Sequence, residues 1–244
     1  MDTITQKKEN EDFLLECERW WIFALMMCTG GFFGGYTYSV RGGVFCNAQT
    51  ANFVLFGLAV GNTDWKTALY YLIPMISYLS GTMISEFLPK RVNKHSPVRW
   101  DTAFIGFEII MVLIIGFIPA SAPVQICHIL VNFMCSMQYN TFRAAEKIPM
   151  ATTFCTAHVR STGVFLVKWL RHKNETNFLK RSLFHAGMIS VFILGVILAT
   201  VCCRFFGTNA IWFAEILLLT VFADLLHADL TKEKGMLHKV PKGH

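Results

Sequence analysis

Amide and hydroxyl side chains gather in two short stretches of an otherwise oily chain. The first holds Asn47, Gln49, Thr50 and Asn52; the second holds Thr152, Thr153, Thr156, His158 and Arg160. Left unpaired in hydrocarbon, each such group costs on the order of a few kcal/mol. Their types therefore point to two uses: lining a polar path that holds a small solute by hydrogen bonds, or satisfying interrupted backbone and neighbouring helices. Arg160 is the sharpest member, because a guanidinium at membrane depth costs roughly 2.5 to 3.5 kcal/mol on insertion scales and is normally paired. It either faces the path or snorkels to an interface. His158 is able to take a proton near neutral pH, with a plain hydrogen bond as the alternative. Two carboxylates, Glu108 and Glu215, lie a third to a half of the way along apolar tracts. Facing a bundle interior there, they would relay protons, counter Arg160, or make a structural hydrogen bond to the backbone of the two stretches.

The scaffold that must position these groups is legible in the charge pattern. Apolar residues make up 54% of the chain and charged residues 16%, and the charges sit in a few clusters. Residues 20–40, 67–85, 120–142 and 182–203 carry no Asp, Glu, Lys or Arg. At about 1.5 Å per helical residue each covers a hydrocarbon core of roughly 30 Å. Residues 102–118 and 205–223 are of similar length with one carboxylate each, which brings the expected crossings to six.

The two polar stretches fall in shorter or more polar pieces, 44–61 and 150–170. If both pieces crossed fully, Lys90, Arg91, Lys94 and Arg99 would lie on the opposite side from Arg171, Lys173, Lys180 and Arg181, against the positive-inside rule. If each piece enters and leaves on one side, both clusters become cytoplasmic. So do Lys7, Lys8 and Arg19 at the start and Lys232, Lys234, Lys239 and Lys242 in the tail, leaving Arg41 and Arg204 as exceptions outside. No small-residue cleavage site precedes Trp20, so the first tract is read as a retained helix. The expected fold is an all-α polytopic membrane protein with six transmembrane helices and two short or re-entrant helical segments.

Each half then reads crossing, half-crossing, crossing, crossing, and the second half starts from the opposite side. Phe-Cys-x-Ala occurs at 45 and again at 154, and Glu108-Ile109-Ile110 returns as Glu215-Ile216-Leu217. Two matches at nearly one offset suggest an inverted 3+3 repeat, an arrangement that builds a site near the bilayer midplane from discontinuous segments of both halves. The boundaries expected are a cytoplasmic segment 1–19, a first repeat 20–118 with its short segment 44–61, a second repeat 119–228 with its short segment 150–170, and a cytoplasmic basic tail 229–244.

The run Gly30-Gly31-Phe32-Phe33-Gly34-Gly35-Tyr36-Thr37-Tyr38, followed by Gly42-Gly43-Val44-Phe45-Cys46-Asn47-Ala48-Gln49-Thr50-Ala51-Asn52, resembles the signature of the YoaK-like family of bacterial membrane proteins of unknown function. Thr152-Thr153-Phe154-Cys155-Thr156-Ala157-His158-Val159-Arg160-Ser161 is similar to that family's second motif. The resemblance spans about residues 18 to 228 and implies a multi-pass protein of the bacterial inner membrane. The chain departs from the pattern at Gly34, where the family usually has Asp, at Ala51, where it has Gly, and at Ala157-His158, where it has Gly-Asn.

Function classes narrow accordingly. The helices use up 244 residues, which leaves no soluble catalytic or nucleotide-binding domain. The net charge of +6 belongs to the flanks of the apolar tracts and needs no nucleic-acid partner. Eight cysteines lie mostly inside the tracts without zinc or disulfide spacing. With no H-E-x-x-H, G-x-S-x-G or phosphate-binding loop, no enzyme, cofactor or metal is expected. Gly30, Gly31, Gly34 and Gly35, and the stripe Ser77, Gly81, Ser85, are read as close-packing faces, within the chain or in a homodimer. Trp20, Trp21, Trp65 and Trp100 are read as interfacial anchors. The leading expectation is a small-solute transporter or channel whose path the two motif segments form. The alternative is a non-transporting membrane scaffold or partner-binding subunit.

Overall fold

In α1 (Trp20–Val40), Gly30, Gly31, Gly34 and Gly35 interrupt a bulky apolar sequence, and the helix is held by what packs into those gaps. The computed structural model describes residues 13–237 and Pro241; Lys7, Lys8, Lys239 and Lys242 fall outside the described residues. After α1 come α2 (Gln49–Gly61), α3 (Trp65–Phe87), the short α4 (Pro89–His95), α5 (Trp100–Phe117) and α6 (Val124–Thr141). Then follow α7 (Thr156–Arg171), α8 (Thr176–Phe206), a 3-10 turn over Gly207–Phe213 and α9 (Ala214–Leu230). Each of the two short pieces is thus an irregular stretch of turns and bends leading into a helix.

One departure from an all-α chain is a minimal ribbon, β1 (Ala144–Ala145) paired antiparallel with β2 (Ile148–Pro149). Its two-residue turn puts Glu146 and Lys147 at φ 48° and 68°, the left-handed geometry that matches strand twist. The usual Asn-Gly signal is absent there, so the sequence gives no warning of it.

Among the described residues three stretches are both long and apolar enough to cross a bilayer: Trp65–Lys94, Trp100–Phe117 and Thr176–Leu230, the last containing both α8 and α9. α1 and α6 are not among them, and burial explains why. α1 is diluted by glycine, and α6 carries His128, Asn132, Ser136 and Gln138, all fully buried.

Two helix pairs dominate the packing. α1 lies on α8, where a Cβ at Gly31 would come 2.1 Å from the Phe192 carbonyl oxygen and one at Gly195 would come 2.1 Å from that of Cys28. α3 lies on α6, where a Cβ at Gly81 would come 2.0 Å from Ser136 Oγ, and Ser77 Oγ donates to the Ile129 carbonyl at 2.7 Å. Around these pairs α2 rests on α3, α7 on α8, and α5 on both α9 and α6, while α9 also touches α1. The glycine faces are thus filled inside one chain.

At the end of the bundle where α5 starts, the described parts of the segments 1–19 and 229–244 pack against it. Arg99 is fully buried; its Nε donates to Asp101 at 3.0 Å, its backbone N–H to Asp229 at 2.9 Å, and its Nη1 lies 4.0 Å from Glu233. The Glu16 N–H donates to Glu233 Oε1 at 2.6 Å. Burial alone would lower the Arg99 pKa, but the Asp101 carboxylate overrides it and holds the guanidinium above its ordinary value. Burial pushes the Glu233 carboxyl and the Cys17 thiol upward. Trp100, read as an interfacial anchor, is instead buried, its indole N–H donating to Thr141 Oγ1 at 3.0 Å.

At the opposite end, Arg41 proves to be no loop charge. It is 1% exposed, and its guanidinium donates to the carbonyls of Ile118 at 2.7 Å and Pro119 at 3.3 Å and to the Tyr36 hydroxyl at 2.9 Å. It caps the C-terminal end of α5, where unpaired carbonyls and the helix dipole favour a cation.

Candidate functional site between the starts of α2 and α7

Both motif stretches converge on α1 at half its height. After α1, Gly42 and Gly43 turn the chain with φ of 86° and 71°, values that glycine adopts without strain. The chain then runs back along α1 to Asn47, whose Nδ2 donates to the Gly30 carbonyl at 3.1 Å. A Cβ at Gly34, one of the positions where this chain departs from the family pattern, would lie 2.9 Å from the same amide. From the other end of the bundle the stretch before α7 arrives at the same place: a Cβ at Gly30 would lie 2.4 Å from the Thr152 carbonyl oxygen and 3.0 Å from Thr153 Cα.

The first turns of α2 and α7 open onto one cavity of about 500 Å³. Asn47, Ala48, Gln49 and Thr50 line it from one side, Phe154, Thr156, Ala157 and Arg160 from the other, and Tyr78 of α3 closes it. Neither helix has a side-chain cap, its N-cap positions being Ala48 and Cys155, so the first-turn N–H groups are left without the usual acceptor. Arg160 is exposed to the cavity and makes no hydrogen bond or ion pair among the described residues. It also lines an adjoining cavity of about 470 Å³ that runs past Ala157 to Arg143, which is paired with Glu86.

Of the residues singled out by type and spacing, Asn47, Gln49, Thr50, Thr156 and Arg160 are brought together here. Asn52 and His158 do not line the cavity. Asn52 is 1% exposed and donates to Gln49 Oε1 at 3.3 Å, behind the first turn. His158 is buried against α8: its Nε2 donates to the Ala151 carbonyl at 2.9 Å, and its Nδ1 lies 3.1 Å from Nδ1 of His185, so the pair shares one proton. Thr152 and Thr153 are fully buried and their hydroxyls have no hydrogen-bond partner.

Glu108 and Glu215 sit on α5 and α9, two helices that pack against each other. All four oxygens lack a partner, so they bond neither to motif backbone nor to Arg160. No group of three or more His, Cys, Asp or Glu side chains suited to a metal occurs among the described residues.

Two contributors carried a weaker signal. Gln49 Nε2 donates to Asn132 Oδ1, and the Asn132 amide in turn donates to the His128 carbonyl at 2.7 Å. His128, Asn132 and Ser136 recur every four residues, the spacing of one helix face, inside a charge-free tract where polar side chains need a reason. Tyr78 carries no such mark, being one tyrosine among several apolar residues.

The comparisons with known proteins agree with a membrane protein of this kind. Residues 22–223 match the family described as "Protein of unknown function (DUF1275)". Over 211 residues the chain is 23% identical to "UPF0700 transmembrane protein YoaK" of Bacillus subtilis (strain 168), an alignment covering 82% of this chain and 91% of that protein. No solved structure matches the chain. With most of its length matched, from the third residue of α1 to within α9, the chain belongs to the DUF1275 family of membrane proteins.

Proposed function

We propose that this chain is a small-solute transporter or channel whose polar path is formed by the two motif segments. The observation that carries the reading is the shared cavity: two uncapped helix starts from different halves of the chain open on it, beside the hydroxyls of Thr50 and Thr156 and the Arg160 guanidinium, which make no side-chain hydrogen bond among the described residues. A purely structural role for these groups would consume their hydrogen-bonding capacity, and at Arg160 it is unspent.

The same reading takes the chain as six crossings in an inverted repeat with both termini cytoplasmic. Packing supports it. If α1, α2, α3 and α5 correspond to α6, α7, α8 and α9, then α1 on α8 corresponds to α6 on α3, α2 on α3 to α7 on α8, and α1 on α9 to α6 on α5. Contacts that exchange partners in this way are the mark of a two-fold relation. Matched positions also meet each other. Asn47 and Thr156, equivalent in the Phe-Cys-x-Ala alignment, line one cavity, and Glu108 and Glu215 sit on helices that pack together.

A scaffold docking through its glycine faces is less favoured, because Gly31 and Gly35 are taken by α8 and Gly30 and Gly34 by the motif stretches. The test is solute flux in reconstituted vesicles. Thr156→Val together with Asn47→Leu is expected to reduce flux at least tenfold while the protein remains monodisperse; flux at the wild-type rate would refute the path.

A further inference from the structure

The cavity at the starts of α2 and α7 has a sign, and the sign selects a ligand class. No Asp or Glu lines it, and Arg160 stands in it without a counter-charge among the described residues. Each helix start adds roughly half a positive charge through its aligned peptide dipoles and offers N–H donors that no side chain caps. Guanidinium and helix ends together amount to about two positive charges in a partly enclosed, low-dielectric space. Donors dominate close by as well. Thr153, next to the lining residue Phe154, is fully buried with no hydrogen-bond partner for its hydroxyl among the described residues, and Tyr78 lines the cavity itself. The Tyr78 hydroxyl is a group able to donate to an acceptor placed between the helix starts. The carboxylates at depth, Glu108 and Glu215, line neither this cavity nor the adjoining one.

We propose that a small inorganic or carboxylate anion binds between the N-terminal turns of α2 and α7, with Arg160 as its counter-ion and Thr156 and Tyr78 as hydroxyl donors. Paired helix starts bind anions through main-chain N–H groups and the dipole, and an arginine supplies charge and planar donors together. The adjoining cavity leads from Arg160 to the end of the bundle where α6 meets the β ribbon, and there Arg143 is already paired with Glu86. A cation between the helix starts would meet the Arg160 charge with no carboxylate lining that cavity to offset it, while a neutral solute would leave Arg160 unpaired.

This assignment rests on the polar path proposed above, but the two can be separated. The purified protein in detergent is melted in chloride, nitrate, sulfate and acetate, at constant ionic strength with one common cation. At least one anion is expected to raise the melting temperature of the wild type in a saturable way, as binding to the folded state requires. Arg160→Ala should abolish that saturable shift and Arg160→Lys should retain part of it. Because Arg160 has no partner among the described residues, both variants are expected to fold, which size-exclusion checks. No saturable shift with any of the four anions, or an equal shift in Arg160→Ala, overturns the proposal. Flux of the stabilising anion in vesicles is then measured. Stabilisation without flux leaves the anion site standing and refutes the path; flux of a neutral solute or cation with no anion effect refutes the site and leaves the path.

Discussion

At Gly31 and Gly195 the α1–α8 contact leaves no room for a methyl group, each Cβ landing 2.1 Å from a main-chain carbonyl oxygen of the other helix. Neither oxygen can move without shifting its helix. Gly31→Ala and Gly195→Ala are each expected to cost about 1 to 3 kcal/mol, read as lowered melting temperature in detergent. The double variant should cost less than the sum, because one separation of the helices relieves both clashes. Gly187 of α8 is the control: nothing lies within 4 Å of its Cβ position, so Gly187→Ala should be neutral or stabilising by up to about 1 kcal/mol. Arg41 belongs to the same scale. Arg41→Met strips donors from the carbonyls of Ile118 and Pro119 and from Tyr36. A loss of about 2 to 4 kcal/mol is expected from the buried acceptors left behind, with Arg41→Lys intermediate.

Among elements, the contacts of Glu16, Asp229 and Glu233 at the start of α5 tie three otherwise separate pieces together through Arg99 and Glu233. Burial raises the Glu233 pKa above its ordinary 4.5, so the folded chain holds that proton more tightly than the unfolded one. Stability from this group is therefore full below about pH 4.5 and falls as the pH climbs to the raised folded value. Glu233→Gln should flatten that part of the stability-against-pH profile, measured by melts in mildly acidic to neutral buffers; an unchanged slope would assign it to another group. The two motif helices act at this scale as well. Because Ala48 and Cys155 give them no side-chain cap, a cap is expected to compete with any ligand at the helix start. Ala48→Asp, which supplies both a cap and a negative charge, should stabilise the empty protein and weaken anion binding.

For the whole molecule, the topology proposed here places Lys66, at the start of α3, and Lys173, between α7 and α8, on opposite sides of the membrane. Both are exposed. In intact cells a membrane-impermeant thiol reagent is expected to label Lys66→Cys and to spare Lys173→Cys until the cells are opened. Labelling of neither before permeabilisation would mean that the segment holding α2 crosses completely and that the repeat is not inverted. The native cysteines give little background, since six of the eight are buried and the other two are partly so.

Some of this was legible in residues alone. Tracts without charge mark helices in lipid because an ionised group there is too costly, a constraint that acts on sequence in one dimension. The same cost singles out 44–61 and 150–170, where polar residues accumulate, and their Asn47, Gln49, Thr50, Thr156 and Arg160 do share a cavity. Which side chain faces which neighbour is another matter, since each helical residue turns about 100° from the last and its partner lies far along the chain. Asn52, three residues after Gln49, bonds back to it, and His158, two residues before Arg160, turns to His185. Arg41 looked like a stray external charge until the end of α5 lay beside it. The one-dimensional cost of burying charge fixed what enters the membrane, and the pairing of distant surfaces decided what each polar group does there.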